Sequence, residues 1–279
     1  MRTAKILFLG GGNMARCIVA GLIADGYDAN AIWVVDPNLA KQQYFTQTLK
    51  VHATDDAHTV IDKVYIIVLA VKPQSLEKVA NQFGTVIKQQ KPLLISIAAG
   101  ITLNSLALWF GEQTPIIRAM PNTPALVQAG ATTLFANSTT SRQQKELAER
   151  ILRATGLTAW MDSEDLMDVS TAIAGSSPGY FFYIMEAMED SAVALGLDSK
   201  TARLLIRQAM FGSAKLALES QQDFAQLRAQ VTSKAGATEA AIHSLAADEL
   251  PQALERAIHA AKKRCEIMSQ QFGPQKQLT

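Results

Sequence analysis

Cysteine is nearly missing from this sequence. Only Cys17 and Cys265 occur among 279 residues, too few for a disulfide framework and too far apart for metal-ligand spacing. Histidine is also sparse: His52, His58, His243 and His259 are scattered, never paired as HxH or HxxxH, so no metal site is expected. No apolar run reaches the roughly 18 residues that a membrane-spanning helix needs, and the first run is a strand's length before glycines break it. The reading is a soluble, cytoplasmic chain with no membrane partner. Neither sign of charge is in excess, with 26 basic and 25 acidic residues. The one dense basic cluster, Lys262-Lys263-Arg264, lies on a helical stretch, so nucleic acid is not expected as a partner. Apolar residues are plentiful at 48%, and at this length they can form a sizeable core and two domains.

The N-terminal stretch Ile6-Leu7-Phe8-Leu9-Gly10-Gly11-Gly12-Asn13-Met14-Ala15 is an apolar strand that stops at three glycines and restarts as a helix. Gly10 allows a tight turn, Gly12 allows close approach of a pyrophosphate, and Ala15 allows the helix to lie close to the strand. The helix start, with its free N–H groups and positive dipole end, favours an anion. A second strand, Ile32-Trp33-Val34-Val35, ends at Asp36 and completes a βαβ unit of the length a dinucleotide site requires. Further buried strands follow at Val64–Leu69, Leu93–Ile97, Ile116–Met120 and Ala131–Phe135. In an open α/β sheet, ligands bind beyond the carboxyl ends of the strands. Small or turn-forming clusters stand at four of those ends: Gly10–Met14, Ala70-Val71-Lys72-Pro73, Ala98-Ala99-Gly100 and Met120–Pro124.

After a last strand-like segment, Leu157–Met161, the composition changes. From Asp165 onward Ala, Leu, Met and Glu recur at helical spacing. Gly175-Ser176-Ser177-Pro178-Gly179 launches a helix from Tyr180 to about Leu195 that is apolar around most of its circumference. Such a helix in a domain of about a hundred residues points to burial against a second copy of the chain, with a tight monomeric bundle as the alternative. A further helix runs from Ser199 to about Glu219. Between later helices, Val231-Thr232-Ser233-Lys234-Ala235-Gly236-Ala237-Thr238 precedes a helix expected from Glu239. Its hydroxyls, cation and N–H groups suit a carboxylate, but on spacing alone an ordinary N-cap by Ser233 or Thr238 is the better account.

These motifs, in this order, resemble the pyrroline-5-carboxylate reductases: the Phe8–Ala15 turn, Leu69-Ala70-Val71-Lys72-Pro73-Gln74, Arg118-Ala119-Met120-Pro121-Asn122-Thr123-Pro124, Gly175–Tyr180, and Val231-Thr232-Ser233 followed by Gly236-Ala237-Thr238. The resemblance runs from Ile6 to about Gln271. It implies an α/β chain with an N-terminal, doubly wound, mostly parallel Rossmann domain (residues 1–163). The C-terminal all-α domain (164–279) would bind substrate and dimerise, and rings of dimers are frequent in the family. The implied activity is reduction of the cyclic imine 1-pyrroline-5-carboxylate to L-proline by NADPH or NADH, the last step of proline biosynthesis.

Carried onto this chain, the cofactor would meet Gly10, Gly11, Gly12, Asn13, Met14, Asp36, Asp56, Ala70, Val71, Lys72, Pro73, Ala98 and Ala99. The substrate would meet Ser233, Lys234, Gly236, Ala237 and Thr238, with the Thr238 hydroxyl on the ring nitrogen as the catalytic group. Two departures stand out. The family usually reads Thr-Ser-Pro-Gly-Gly-Thr-Thr in the substrate loop, where this chain has Lys234-Ala235 for the Pro-Gly pair. It also carries Asp36 and Asp56 where the family commonly has Asn or small polar residues, which leans the expected cofactor towards NADH, since carboxylates accept from ribose hydroxyls and repel a 2′-phosphate. Two other functions remain open: a two-domain dehydrogenase of the hydroxyacid or 6-phosphogluconate type, for which Lys234 is the nominee beside the hydride acceptor, and a non-catalytic dinucleotide-binding paralogue.

Overall fold

The computed structural model describes residues 4–272; the outermost ends of the two expected domains, 1–3 and 273–279, lie outside the described residues. The chain runs β1 (Ile6–Leu9), α1 (Asn13–Ala24), β2 (Ile32–Val35), α2 (Leu39–Gln43), β3 (His52–Thr54), β4 (Ile66–Leu69), α3 (Leu76–Gln90), β5 (Leu93–Ser96), α4 (Leu103–Phe110), β6 (Ile116–Met120), β7 (Gly130–Ala136), α5 (Arg142–Arg153), β8 (Gly156–Trp160) and α6 (Asp165–Ser170). Five further helices follow: α7 (Ser177–Ala194), α8 (Ser199–Glu219), α9 (Phe224–Gln230), α10 (Ala237–Ala247) and α11 (Leu250–Phe272). Among the described residues no helix is long and apolar enough to cross a membrane.

The eight strands form one sheet in the order β3-β2-β1-β4-β5-β6-β7-β8, the doubly wound α/β architecture the sequence predicts. All neighbours are parallel except β6 and β7. Their connection, Pro121 to Ala129, is shorter than the dozen or so residues of a parallel crossover, so the chain turns back antiparallel. Strand side chains alternate between two cores. On one face Ile6, Phe8, Ile32 and Val34 meet Ile18, Val19 and Leu22 of α1 and Ile151 and Leu152 of α5. On the other, Leu7, Leu9, Ile67 and Leu69 meet Leu76, Phe83 and Ile87 of α3 and Leu106 and Phe110 of α4. Side chains of this size stabilise by about 1.5–3 kcal/mol each when fully buried. Gly21 lets α1 lie against the end of α5, because a Cβ there would stand 2.2 Å from the Ala154 carbonyl oxygen.

Contacts gather the chain into two compact units, residues up to 176 together with those from 261 onward, and residues 177–260. The boundary expected at 163/164 falls inside the first unit, for a visible reason. Glu164 accepts from the Leu103 N–H at 2.7 Å and from Arg118 at 2.5 Å, while Asn122 donates to the Ala174 carbonyl at 2.9 Å. These bonds tie α6 and the turn after it to the sheet. Within the second unit, α7 has no buried residue, and α8 buries only Ala202 and Ile206.

Candidate dinucleotide and substrate sites

The pairing registers place Leu9 opposite both Val35 and Leu69, and Leu69 opposite Ser96. β1, β2, β4 and β5 therefore end level, and the loops that follow open on one rim. This sets the glycines, Ala70–Pro73 and Ala98–Ala99, three of the four strand-end clusters, on one rim with Asp36.

The glycines of the turn sit in different surroundings. Gly10 has φ +106°, and a Cβ on it would lie 2.6 Å from the Ala70 carbonyl oxygen. Its N–H donates to Val35 at 2.8 Å, and Ala70 donates to Leu9 at 2.8 Å, so the turn is threaded between two strand ends. Gly12 is the N-cap of α1 and supplies no side-chain cap, and the first turn carries no acidic residue. A Cβ at Gly12 would meet nothing within 4 Å. The positive end of α1 is thus uncapped, with open space before it where a side chain would otherwise stand. These residues fit the pyrophosphate of a dinucleotide.

Asp36 is buried to 6% exposure and its carboxylate is fully engaged. Oδ2 accepts from the Gly11 N–H at 2.9 Å and from Lys41 Nζ at 2.7 Å, and Oδ1 accepts from the Asn38 N–H at 3.0 Å. Burial pushes this carboxyl upward, but the Lys41 ammonium and the Asn38 and Gly11 N–H groups outweigh it and hold it below its ordinary value. Lys41 was not singled out from the sequence. The available signal was its place in the first turn of α2, behind the N-cap Asn38, whose side chain accepts from the Lys41 N–H. Arg16 of α1 was also passed over: its guanidinium lies 4.5 Å from the Tyr44 ring centroid, and its buried Nε has no hydrogen-bond partner among the described residues. Asp56, beyond β3, is exposed and uses its carboxylate to accept the His58 N–H at 2.9 Å, capping a short 3-10 turn. Asn122 is a brace, accepting from Ala131 as well as donating to Ala174.

In the second unit the segment from Val231 to Thr238 is a compact loop between α9 and α10. α10 opens at Ala237, two residues before the expected start, with Gly236 as an N-cap that lacks a side chain. Neither Ser233 nor Thr238 acts as that cap, and Thr238 stands exposed in the first turn. The Gly236 N–H donates to the Ser233 carbonyl at 3.0 Å, and a Cβ on Gly236 would lie 2.4 Å from Ser233 Oγ. Only glycine lets the Ser233 hydroxyl approach the helix start so closely. Ala235 takes φ +58°, a left-handed conformation that disfavours every residue with a Cβ. Its N–H donates to Glu239 Oε2 at 2.7 Å. Lys234 is exposed. Ser233, Gly236, Ala237 and Thr238 therefore surround one uncapped helix start, the type of geometry that holds a carboxylate.

Comparison with known proteins accounts for both units. Residues 164–268 match the family model for pyrroline-5-carboxylate reductase dimerisation, and residues 5–100 match that for coenzyme F420-dependent NADP oxidoreductases. The pyrroline-5-carboxylate reductase of Pseudomonas aeruginosa is 39% identical over 273 residues, spanning 98% of this chain and 100% of its own. That of Haemophilus influenzae is 40% identical with the same coverage. Among solved structures, the pyrroline-5-carboxylate reductase of Coxiella burnetii superposes with a TM-score of 0.92 at 45% identity, covering 96% of this chain and 99% of that one. The Plasmodium falciparum pyrroline carboxylate reductase with NADP bound gives 0.85 at 26% identity, again covering 96% and 99%. A prephenate dehydrogenase from A. aeolicus, at 14% identity and 0.53, shares the fold alone. With relatives aligned over nearly their full length at this identity, the chain belongs to the pyrroline-5-carboxylate reductase family.

Proposed function

We propose that this protein reduces 1-pyrroline-5-carboxylate to L-proline at the expense of a reduced nicotinamide dinucleotide. The observation that carries the reading is the likeness over nearly the whole chain to reductases of this name, because a shared Rossmann unit alone would not specify a substrate. The nicotinamide, when bound, supplies a hydride to C5 of the ring while a proton goes to the ring nitrogen, so atoms and charge balance.

The geometry supports the following roles for the chain's own residues. Gly10, Gly11 and Gly12, with Asn13 and Met14 at the start of α1, hold the pyrophosphate. Asp36 and Lys41 flank the adenosine ribose, with Asp56 farther along the rim. Ala70–Pro73 and Ala98–Ala99 line the path toward the nicotinamide. Ser233 Oγ and the N–H groups of Ala237 and Thr238 hold the substrate carboxylate beside Gly236, and Lys234 adds positive charge at the rim. The Thr238 hydroxyl hydrogen-bonds the ring nitrogen. A hydroxyl is a weak acid, so Thr238 orients the nitrogen, and the iminium form of the substrate or water supplies the proton. An imine carbon is already electrophilic, so holding it against the hydride donor is most of the catalytic task.

The Lys41 ammonium offsets the charge of Asp36, so the lean towards NADH drawn from Asp36 alone is smaller than the carboxylate would impose, and both cofactors are accommodated. The working form is a homo-oligomer, at least a dimer, assembled through the apolar faces of α7 and α8.

The deciding experiment follows oxidation of NADPH and NADH with 1-pyrroline-5-carboxylate, beside hydroxyacids offered with the oxidised cofactors. Turnover of the imine alone is the expected result. Turnover of a hydroxyacid, or dinucleotide binding without turnover, rejects the reading.

A further inference from the structure

The substrate loop presents a physical difficulty. Between Ser233 and Gly236 this chain has Lys234 and Ala235, so no proline ring stiffens the segment. A residue with a Cβ must also hold the left-handed φ of +58°, a conformation suited to glycine. Left to itself, the segment between Ser233 and Gly236 would favour other backbone conformations. Yet Ser233 Oγ is held so near the start of α10 that a Cβ on Gly236 would stand 2.4 Å from it.

Two hydrogen bonds keep this shape. One is the local turn from the Gly236 N–H to the Ser233 carbonyl at 3.0 Å. The other reaches across the cap from Glu239, in the first turn of α10, whose Oε2 accepts the Ala235 N–H at 2.7 Å. A carboxylate accepting from a backbone N–H makes a stronger bond than a neutral acceptor, and a negative charge in the first turn of a helix lies in a favourable field. It works as a capping-box glutamate does, reaching back past the helix start to take an N–H that the helix cannot satisfy. Glu239 is half-buried, while Ser233, Lys234, Ala235, Ala237 and Thr238 are exposed, so the loop has little packing to hold it otherwise.

We infer that Glu239 is a positioning residue for substrate binding: its bond to the Ala235 N–H holds the Ser233–Thr238 loop in its carboxylate-binding shape before substrate arrives, in a segment that has neither a proline ring nor a glycine at the left-handed position. The inference rests on the reductase reading of this site. It places Glu239 outside the reacting groups, acting through Ala235 on Ser233 and Gly236.

The test compares Glu239→Ala with Glu239→Gln, since glutamine keeps an acceptor oxygen and removes the charge. With Glu239→Ala, KM for the imine should rise about fivefold or more, while kcat and the cofactor KM stay within about twofold. Glu239→Gln should stay within about twofold of wild type. Adding Ala235→Gly to Glu239→Ala should recover part of the lost affinity, because glycine adopts the left-handed turn unaided. Amide hydrogen exchange at Ala235 without substrate should be slow in wild type and Glu239→Gln and faster in Glu239→Ala. An unchanged KM in Glu239→Ala overturns the inference. So does equal loss in both variants, or a lowered KM, which would mean that the carboxylate opposes the substrate. If wild type shows no imine turnover, the reductase reading fails separately. The exchange measurement alone then judges Glu239, and an Ala235 amide no faster in Glu239→Ala overturns it.

Discussion

Lys41 places its ammonium 2.7 Å from Asp36 Oδ2, the same oxygen that accepts the Gly11 N–H at 2.9 Å. One carboxylate therefore ties the glycine turn, the end of β2 and the first turn of α2 together, and its charge is balanced where a cofactor's ribose would lie. With the ribose placed as proposed, discrimination between NADH and NADPH would depend on Lys41 as well as on Asp36. Removing the ammonium in Lys41→Met should leave Asp36 facing a 2′-phosphate unopposed. The Kd for NADPH should then rise about five- to tenfold relative to that for NADH, a modest factor because Lys41 is 36% exposed and partly screened. Fluorescence titration of both cofactors measures it; an unchanged Kd ratio removes Lys41 from the selection.

The same carboxylate sets an acid limit. Because its folded-state value is held below the ordinary one, the ionised Asp36 contributes stability that is present above the unfolded carboxylate value, about 3.9. That contribution is lost as pH falls through the lower folded value. Asp168 has the opposite sign. Burial pushes its carboxyl up against the pull of Arg118 3.9 Å away, with Glu266 and Glu164 adding to the rise and Lys262 opposing it. A raised carboxyl favours the folded state below the unfolded value and loses that advantage as pH rises through the folded one. Asp168→Asn should therefore raise Tm at pH 7 to 8, and the gain should shrink towards pH 4 (the ordinary carboxylate range being about 3.9). Arg118 remains paired with Glu164 at 2.5 Å in either form. A thermal melt series across that range checks the sign, and a lower Tm at pH 8 refutes it.

For the proposed chemistry, Thr238→Ala is the informative change. A contact to the ring nitrogen should matter most as that nitrogen's charge changes during hydride transfer, so kcat should fall, by about tenfold or more, with KM for the imine less affected. Steady-state kinetics at saturating cofactor separate the two. An unchanged kcat removes Thr238 from the mechanism.

The positions of the buried strands were readable because each is an apolar run closed by a small-residue turn, and because parallel strands must alternate with helices. The glycine turn was readable because Gly10 meets a backbone constraint that leaves its mark in residue type. Lys41 and Glu239 were not. Each acts by reaching back over a helix start to a partner four or five residues earlier, and a lysine or glutamate near a helix start usually faces water. The two-residue error at the start of α10 has a related cause. Glu239 marked the apparent start by its type, whereas Gly236 caps the helix by conformation alone. Nor does sequence reveal that Glu164 and Asn122 anchor α6 and the following turn to the sheet, because those partners lie dozens of residues apart.

Sequence does predict the apolar circumference of the long helix, and the structure shows its consequence. In the single chain Phe181, Phe182, Tyr183 and Met188 of α7 are 43–73% exposed, and Leu204, Phe211 and Leu218 of α8 63–84%. Between these helices lies a groove of about 820 Å³ lined by Phe181, Phe182, Met185, Ile206, Met210 and Phe211, among others. Apolar surface on this scale is unfavourable in water, and a twofold contact with the same face of a second copy would cover it. Phe211→Glu should place an unpaired charge in that contact, at a cost on the order of 3–5 kcal/mol per buried charge. The expected result is dissociation to a 30.2 kDa species with loss of thermal stability. Light scattering at micromolar concentration provides the measurement. A wild type that already runs as a monomer, or a Phe211→Glu protein that keeps the wild-type mass and Tm, rejects assembly through this face.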